Sequence, residues 1–219
     1  MSADDKCCRR SGRALVLMLL GFLWLLGGCG GSGGGGGSSP TAPNSTGCLD
    51  RAVFGNPADS PFVLPYPVGE AYEVITSYCS SFTFPDNIGL DFDLPMGSRL
   101  VAARSGVVIE VVDRFDDSGA SLDQNNFILI QHGDGSVAFY SHVRQGSARV
   151  ETGDSVGVGE RIGDSGAAGA PFAHLHFTVY RNAGLDGRDS LPINFRNTDG
   201  PLDERGGLIP GQVYRAQPY

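Results

Sequence analysis

Apolar and polar residues alternate with period two near the end of the chain, where Leu175, Phe177 and Val179 are separated by His176, Thr178 and Tyr180. That spacing predicts a β-strand over His174–Arg181, because successive side chains of a strand leave opposite faces of the pleat. Short runs of similar type recur at Ala71–Ser77, Gly89–Asp93, Arg99–Ala102, Gly106–Asp113, Asn126–His132, Val137–Tyr140, Ala148–Val150, Arg161–Gly163 and Gln212–Arg215. Turns containing Gly separate most of them, and Gly133-Asp134-Gly135 between two apolar runs reads as a hairpin. No window keeps apolar residues at i, i+3 and i+4 over a helix length. The expectation is an all-β fold, mostly antiparallel, with long loops and little helix. Residues 113–125 are polar and read as a rim loop. The segment 62–67 and the tail 182–219 are expected to cover the sheet, with Gln212-Val213-Tyr214 as a closing strand.

A different pattern opens the chain. Lys6, Arg9, Arg10 and Arg13 precede an apolar run, Ala14–Leu26, and then small residues. This is the layout of a secretory signal peptide, and the run is short for a membrane span. An uncleaved anchor helix is the alternative. Leu26-Gly27-Gly28-Cys29 resembles the lipobox of bacterial lipoproteins. The resemblance implies cleavage before Cys29, a diacylglycerol on its sulfur and a further acyl chain on the new amino terminus. Several chains anchor stably, since each buried methylene contributes about 0.8 kcal/mol. Gly30 is not the Asp that favours inner-membrane retention, so the outer membrane is expected if the cell is Gram-negative. The Gly/Ser/Pro-rich stretch that follows cannot bury apolar surface and reads as a tether with a reach of roughly 20–25 Å. The expected organisation is a signal peptide over 1–28, a lipidated linker over 29–47 and a β-domain over 48–219, its core at about 70–181.

Charge and cysteines fit an exported location. The 219 residues carry a formal charge of −8. From residue 29 onward 12 Arg face 22 acidic residues, a formal charge of −10. That argues against a nucleic-acid surface and against attraction to anionic lipid. Cys7 and Cys8 fall in the leader, which leaves Cys48 and Cys79 besides Cys29. An exported pair reads as one disulfide pinning the start of the domain to its core; two free thiols are the alternative.

The strands bring candidate chemistry together. His174 and His176 share a face, and so do Asp91 and Asp93, with Asn87 if that strand extends to it. His142 follows the strand Val137–Tyr140. Carboxylate and imidazole are common zinc ligands. The plainer reading is a set of half-buried strand histidines. His132, before the Gly-Asp-Gly turn, reads as structural. Arg104, Arg144 and Arg181 read as solvated, with binding of a peptide carboxylate as the alternative.

The order Gly89-Leu90-Asp91, Tyr140-Ser141-His142, a Gly-rich turn and His174-Leu175-His176 resembles the lysostaphin/LytM-type zinc metallopeptidases, which hydrolyse peptidoglycan peptides. Matching runs also include Ala102–Val108, Ile130–Gly135, Gly153–Val156 and Ile162–Gly166. The resemblance implies a LytM/lysostaphin-like β-sheet core of duplicated-hybrid-motif type. It implies one zinc ion held by Asp91 and His176, His174 as general base, and His142 as stabiliser of developing negative charge. A zinc with three protein ligands keeps one position for water, whose pKa falls to about 7. The chain departs from the family pattern at Asn87, where the first zinc-ligand His is expected. A carboxamide is not among the usual zinc ligands; Asp93 is a possible substitute by parity. Three readings follow. The first is an envelope-anchored zinc endopeptidase acting on peptidoglycan peptides. The second is a degenerate member that binds peptidoglycan or activates another wall hydrolase such as an amidase. The third is a structural envelope lipoprotein.

Overall fold

The strand predicted from the His-x-His alternation lies at the middle of the main sheet. The computed structural model describes residues 46–80 and 86–219. All of them fall within one compact unit, residues 42–219. The expected leader over 1–28, Cys29 and nearly all of the linker lie outside the described residues.

The strands are β1 (Ala71–Thr76), β2 (Gly89–Phe92), β3 (Arg99–Val101), β4 (Gly106–Val112), β5 (Phe127–Gln131), β6 (Val137–Ser141), β7 (Ser155–Val156), β8 (Arg161–Asp164), β9 (Leu175–Tyr180) and β10 (Val213–Arg215). Eight form one sheet in the order β10-β1-β2-β9-β6-β5-β4-β7, and β3 pairs with β8 in a second. Every pairing is antiparallel. Helix among the described residues is limited to α1 (Thr46–Arg51) and three single-turn 3-10 segments. Among the described residues no helix is long and apolar enough to cross a membrane.

The alternation sorts side chains between two layers. Leu175, Phe177 and Val179 of β9 join Leu90 and Phe92 of β2, Ala138 and Tyr140 of β6, and Ile128 and Ile130 of β5 in one buried cluster. Burying a side chain of this size contributes about 1.5–3 kcal/mol. The opposite faces of β2, β9 and β6 carry Asp91, His176, Thr178, Phe139 and Ser141. Registry fixes which of these meet: Asp91 pairs with His176 across β2–β9, and Ser141 with His176 across β6–β9.

The covering segments behave as expected. Phe62, Val63, Leu64 and Tyr66 are buried, held by bonds from Val63 N to Ala103 O (2.8 Å) and from Val101 N to Pro65 O (3.0 Å). The closing strand pairs Val213–Arg215 with Glu73–Ala71 of β1. Two details differ. Residues 148–150 form no strand, because Arg149 N bonds Ile162 O outside any ladder; the short β7 pairs with β4 instead. The six-residue α1 is too short to leave a periodic signature.

Cys48 and Cys79 are joined in a disulfide with Cα atoms 5.7 Å apart. It anchors a small second cluster of Cys48, Ala52 and Ile88, with Phe54, Tyr78 and Cys79 packed against it.

Candidate functional site

A cleft of about 390 Å³ opens over the polar face of β2, β9 and β6. Asp91, His142, His174, His176 and Asn87 all line it. Sequence-distant segments thus converge as the strand order requires. His132 does not join them: it is buried elsewhere, with Nδ1 at 3.0 Å from Ser105 O and its ring edge-on to Phe62. Burial keeps its pKa low, so it stays a structural histidine.

Asp91 Oδ1 accepts a hydrogen bond from His176 Nδ1 at 2.7 Å. Burial alone would raise the Asp91 carboxyl, but the hydrogen bond and charge of His176 outweigh it and hold the group below its usual range. The other ring nitrogen, His176 Nε2, lies 3.0 Å from Thr178 Oγ1, which in turn accepts from Asn87 Nδ2 at 3.5 Å. A chain Asp91–His176–Thr178–Asn87 therefore crosses the cleft floor. Gly89 makes room for it: a Cβ there would stand 2.5 Å from Thr178 Oγ1 and 2.9 Å from His176 Cε1.

His142 sits just past β6 with φ +64, a left-handed conformation that costs a non-glycine residue about 1 kcal/mol or more. Asn125 compensates. Its Oδ1 accepts from His142 N at 3.2 Å and from Ser141 Oγ at 3.1 Å, while its Nδ2 donates to Ser141 Oγ at 2.8 Å. The ring is fixed by Nδ1 against Ala168 O at 2.9 Å, and the His174 ring by Nδ1 against Phe172 O at 3.1 Å. The two rings lie 4.5 Å apart. Burial and the neighbouring His174 push His142 down to about 4, so it is neutral at physiological pH.

Residues that sequence reasoning passed over also line the cleft: Leu122, Asn125, Phe139, Ser141 and Tyr180. Phe139 and Tyr180 were within reach of the period-two rule, since Tyr180 stands four residues after His176 on the same face. Asn125 and Leu122 lie on the rim loop, which has no periodicity to read.

Asp93 is a correction. It lies past the end of β2, exposed, with its N–H bonded to Glu73 O. The strand stops before its side chain could return to the cleft face, so it does not stand in for a missing ligand.

The donor set can be tested against zinc. Asp91 and His176 are two suitable donors, and they face each other directly. Asn87, expected from the sequence at a third ligand position, lines the same cleft, is 2% exposed and has its Oδ1 buried with no hydrogen-bond partner among the described residues. No group of three His, Cys, Asp or Glu able to hold a metal converges among the described residues. Among the described residues, the side chains at the cleft therefore do not make up the three-donor set that zinc ordinarily takes.

The fold and cleft define an antiparallel β-domain with a histidine-lined cleft on its sheet. Residues 86–188 match the family model of Peptidase family M23. The chain is similar to an uncharacterized lipoprotein, YgeR, of Escherichia coli K12, 31% identical over 107 residues that cover 48% of this chain and 39% of that protein. It is also similar to an uncharacterized metalloprotease of Buchnera aphidicola, 25% identical over 130 residues that cover 56% of this chain and 32% of that protein. The chain thus spans only 39% and 32% of the length of these two curated relatives. Among solved structures, the catalytic domain of lysostaphin from Staphylococcus simulans is 25% identical, covering 57% of this chain and 86% of that one, with a TM-score of 0.41.

Proposed function

We infer that this chain is a lipid-anchored envelope protein whose M23-family domain binds peptidoglycan peptides without cleaving them, placing or activating a separate wall hydrolase. One observation carries the reading: Asp91 and His176 satisfy each other at 2.7 Å, and the cleft wall beside them is Asn87, the residue that the sequence resemblance sets at the first ligand position. A cleft of this kind keeps its shape and polar lining but lacks the third donor that would hold a metal tightly. The Leu26-Gly27-Gly28-Cys29 sequence supports the lipid anchor, and one relative carries the name lipoprotein.

A second reading, a zinc endopeptidase with an altered ligand set, is favoured by the His142–His174 pair. Their rings remain 4.5 Å apart with both Nδ1 atoms fixed by main-chain carbonyls, an arrangement that leaves each Nε2 to handle a proton.

One experiment separates them. Purified sacculi are incubated with the full chain in detergent, with and without added zinc. The binding reading expects the protein to sediment with the sacculi and no soluble muropeptides to appear. Zinc-dependent release that disappears in His174→Ala would overturn it and establish the second. If the domain raises the release caused by a wall amidase, the activating role holds; no gain with any envelope amidase removes that half of the proposal.

A further inference from the structure

The cleft is rich in acceptors. Among the described residues neither Lys nor Arg lines it. His142 and His174 each place Nδ1 against a main-chain carbonyl, at 2.9 Å and 3.1 Å. A carbonyl oxygen only accepts, so both Nδ1 atoms carry the proton, and in the neutral ring Nε2 is a bare lone pair. Asp91 adds a carboxylate. Several polar side chains of the cleft bond to one another: Asn125 Nδ2 donates to Ser141 Oγ at 2.8 Å, and Asn87 Nδ2 to Thr178 Oγ1 at 3.5 Å. Phe139 and Tyr180 bring aromatic faces, which attract cations through the ring quadrupole.

A primary ammonium has three N–H donors, no acceptor and a positive charge. Its requirements are the complement of this lining. A carboxylate would meet lone pairs and a like charge. We propose that the cleft selects peptides by a primary ammonium group, seated among Asp91, His142 and His174, and disfavours peptides that offer a carboxylate there. The proposal rests on the peptide-binding reading above and specifies what that cleft takes. It extends past the residues assigned to metal chemistry, because His142 and His174 act here as acceptors and not as proton carriers.

The test uses the full chain in detergent, treated with chelator, and capped tripeptides with Lys, Nε-acetyl-Lys or Glu between two Ala residues. Binding is followed by calorimetry and by shifts of the histidine ring signals. Hydrogen bonds to a charged donor add enough that the Lys peptide should bind at least about tenfold tighter than its acetylated form, with the Glu peptide weakest. The preference should vanish in Asp91→Asn and weaken in His174→Gln, each checked for folding by thermal melt. Equal or tighter binding of the acetylated or Glu peptide to the wild-type chain overturns the proposal, and that comparison requires no variant. Sacculi that sediment the chain while the Lys preference is absent would sink this inference alone. A Lys preference without sedimentation would sink the envelope reading alone.

Discussion

His176 Nδ1 donates to Asp91 Oδ1 at 2.7 Å, across the β2–β9 pairing that sets the two residues opposite each other. The contact is a consequence of registry: a slip of one residue between the strands would turn one of the two side chains into the apolar layer and part the pair. It also shows how the cleft floor satisfies itself. The carboxylate accepts the imidazole N–H, Thr178 attends the other ring nitrogen, and the amide oxygen of Asn87 is left without a partner among the described residues.

That orphan acceptor lies on the cleft wall, at the position where the sequence resemblance expects a His. Asn87→His should place an imidazole beside Asp91 and His176 and complete a three-donor set. Zinc affinity is expected to rise by at least about 10–100-fold, the range that even supporting residues of metal sites command. Metal analysis of the variant and the wild type after identical zinc loading and desalting provides the check. Equal zinc in both would mean that residue 87 does not face the metal position.

Stability should depend on pH through His142. Its pKa is about 4 in the folded chain and about 6.5 when unfolded. Between these values the unfolded chain binds more protons, so folding stability is full above about pH 6.5 and declines as pH falls toward 4. The loss approaches about 3 kcal/mol, at about 1.36 kcal/mol per unit. Asp91 acts in the same direction at lower pH, its stabilisation being lost as the carboxylate is protonated. Urea melts between pH 7 and 4 should give this slope, and His142→Gln should flatten its upper part.

The sequence made the sheet and the cleft floor readable because strand periodicity is local. Leu175–Tyr180 announces both its core face and its polar face, and the pairing of Gly89–Phe92 beside it follows from the same rule. Asp93 misled because parity holds only while the strand lasts, and β2 ends at Phe92. The support of His142 was not readable. Asn125 lies on a loop, and its contact depends on where residues 113–125 fold back, which no repeating pattern encodes. The helix α1 was hidden for a similar reason, being six residues long and held by a disulfide and by Arg51 rather than by an apolar stripe.

The disulfide should matter to the cleft as well as to stability. Cys79 N donates to Asn87 O at 3.1 Å, and Arg51 Nη1 and Nη2 reach Arg188 O and Asp86 O at 2.6 Å each. One clamp thus ties α1 to both segments flanking Asn87. Closing a loop with a sequence separation of 31 corresponds to about 3–4 kcal/mol in the chain-entropy account. Cys48→Ser with Cys79→Ser should therefore lower unfolding stability by about 2–4 kcal/mol. Amide exchange at Ile88 should quicken more than exchange in β5. A uniform change across the sheet would show that the bridge does not act on the cleft wall.

Asn125 provides the sharpest test of how the cleft is built. Asn125→Ala removes the acceptor for the His142 amide and the partner of Ser141, leaving a buried donor and a hydroxyl unpaired. The expected destabilisation is about 1–3 kcal/mol, read by denaturant melts. A general packing defect would have the same cost, so a second measurement is needed. His142 holds a left-handed backbone that its side chain does not favour. Without Asn125 it should relax, and the ring should leave Ala168 O and His174. Proton resonances of His142 and His174 should then shift together while His132, buried against Phe62, stays unchanged. If all three histidines shift alike, or none does, Asn125 only fills space. If the first two move alone, the loop before β5 is what aims the imidazole pair at the cleft.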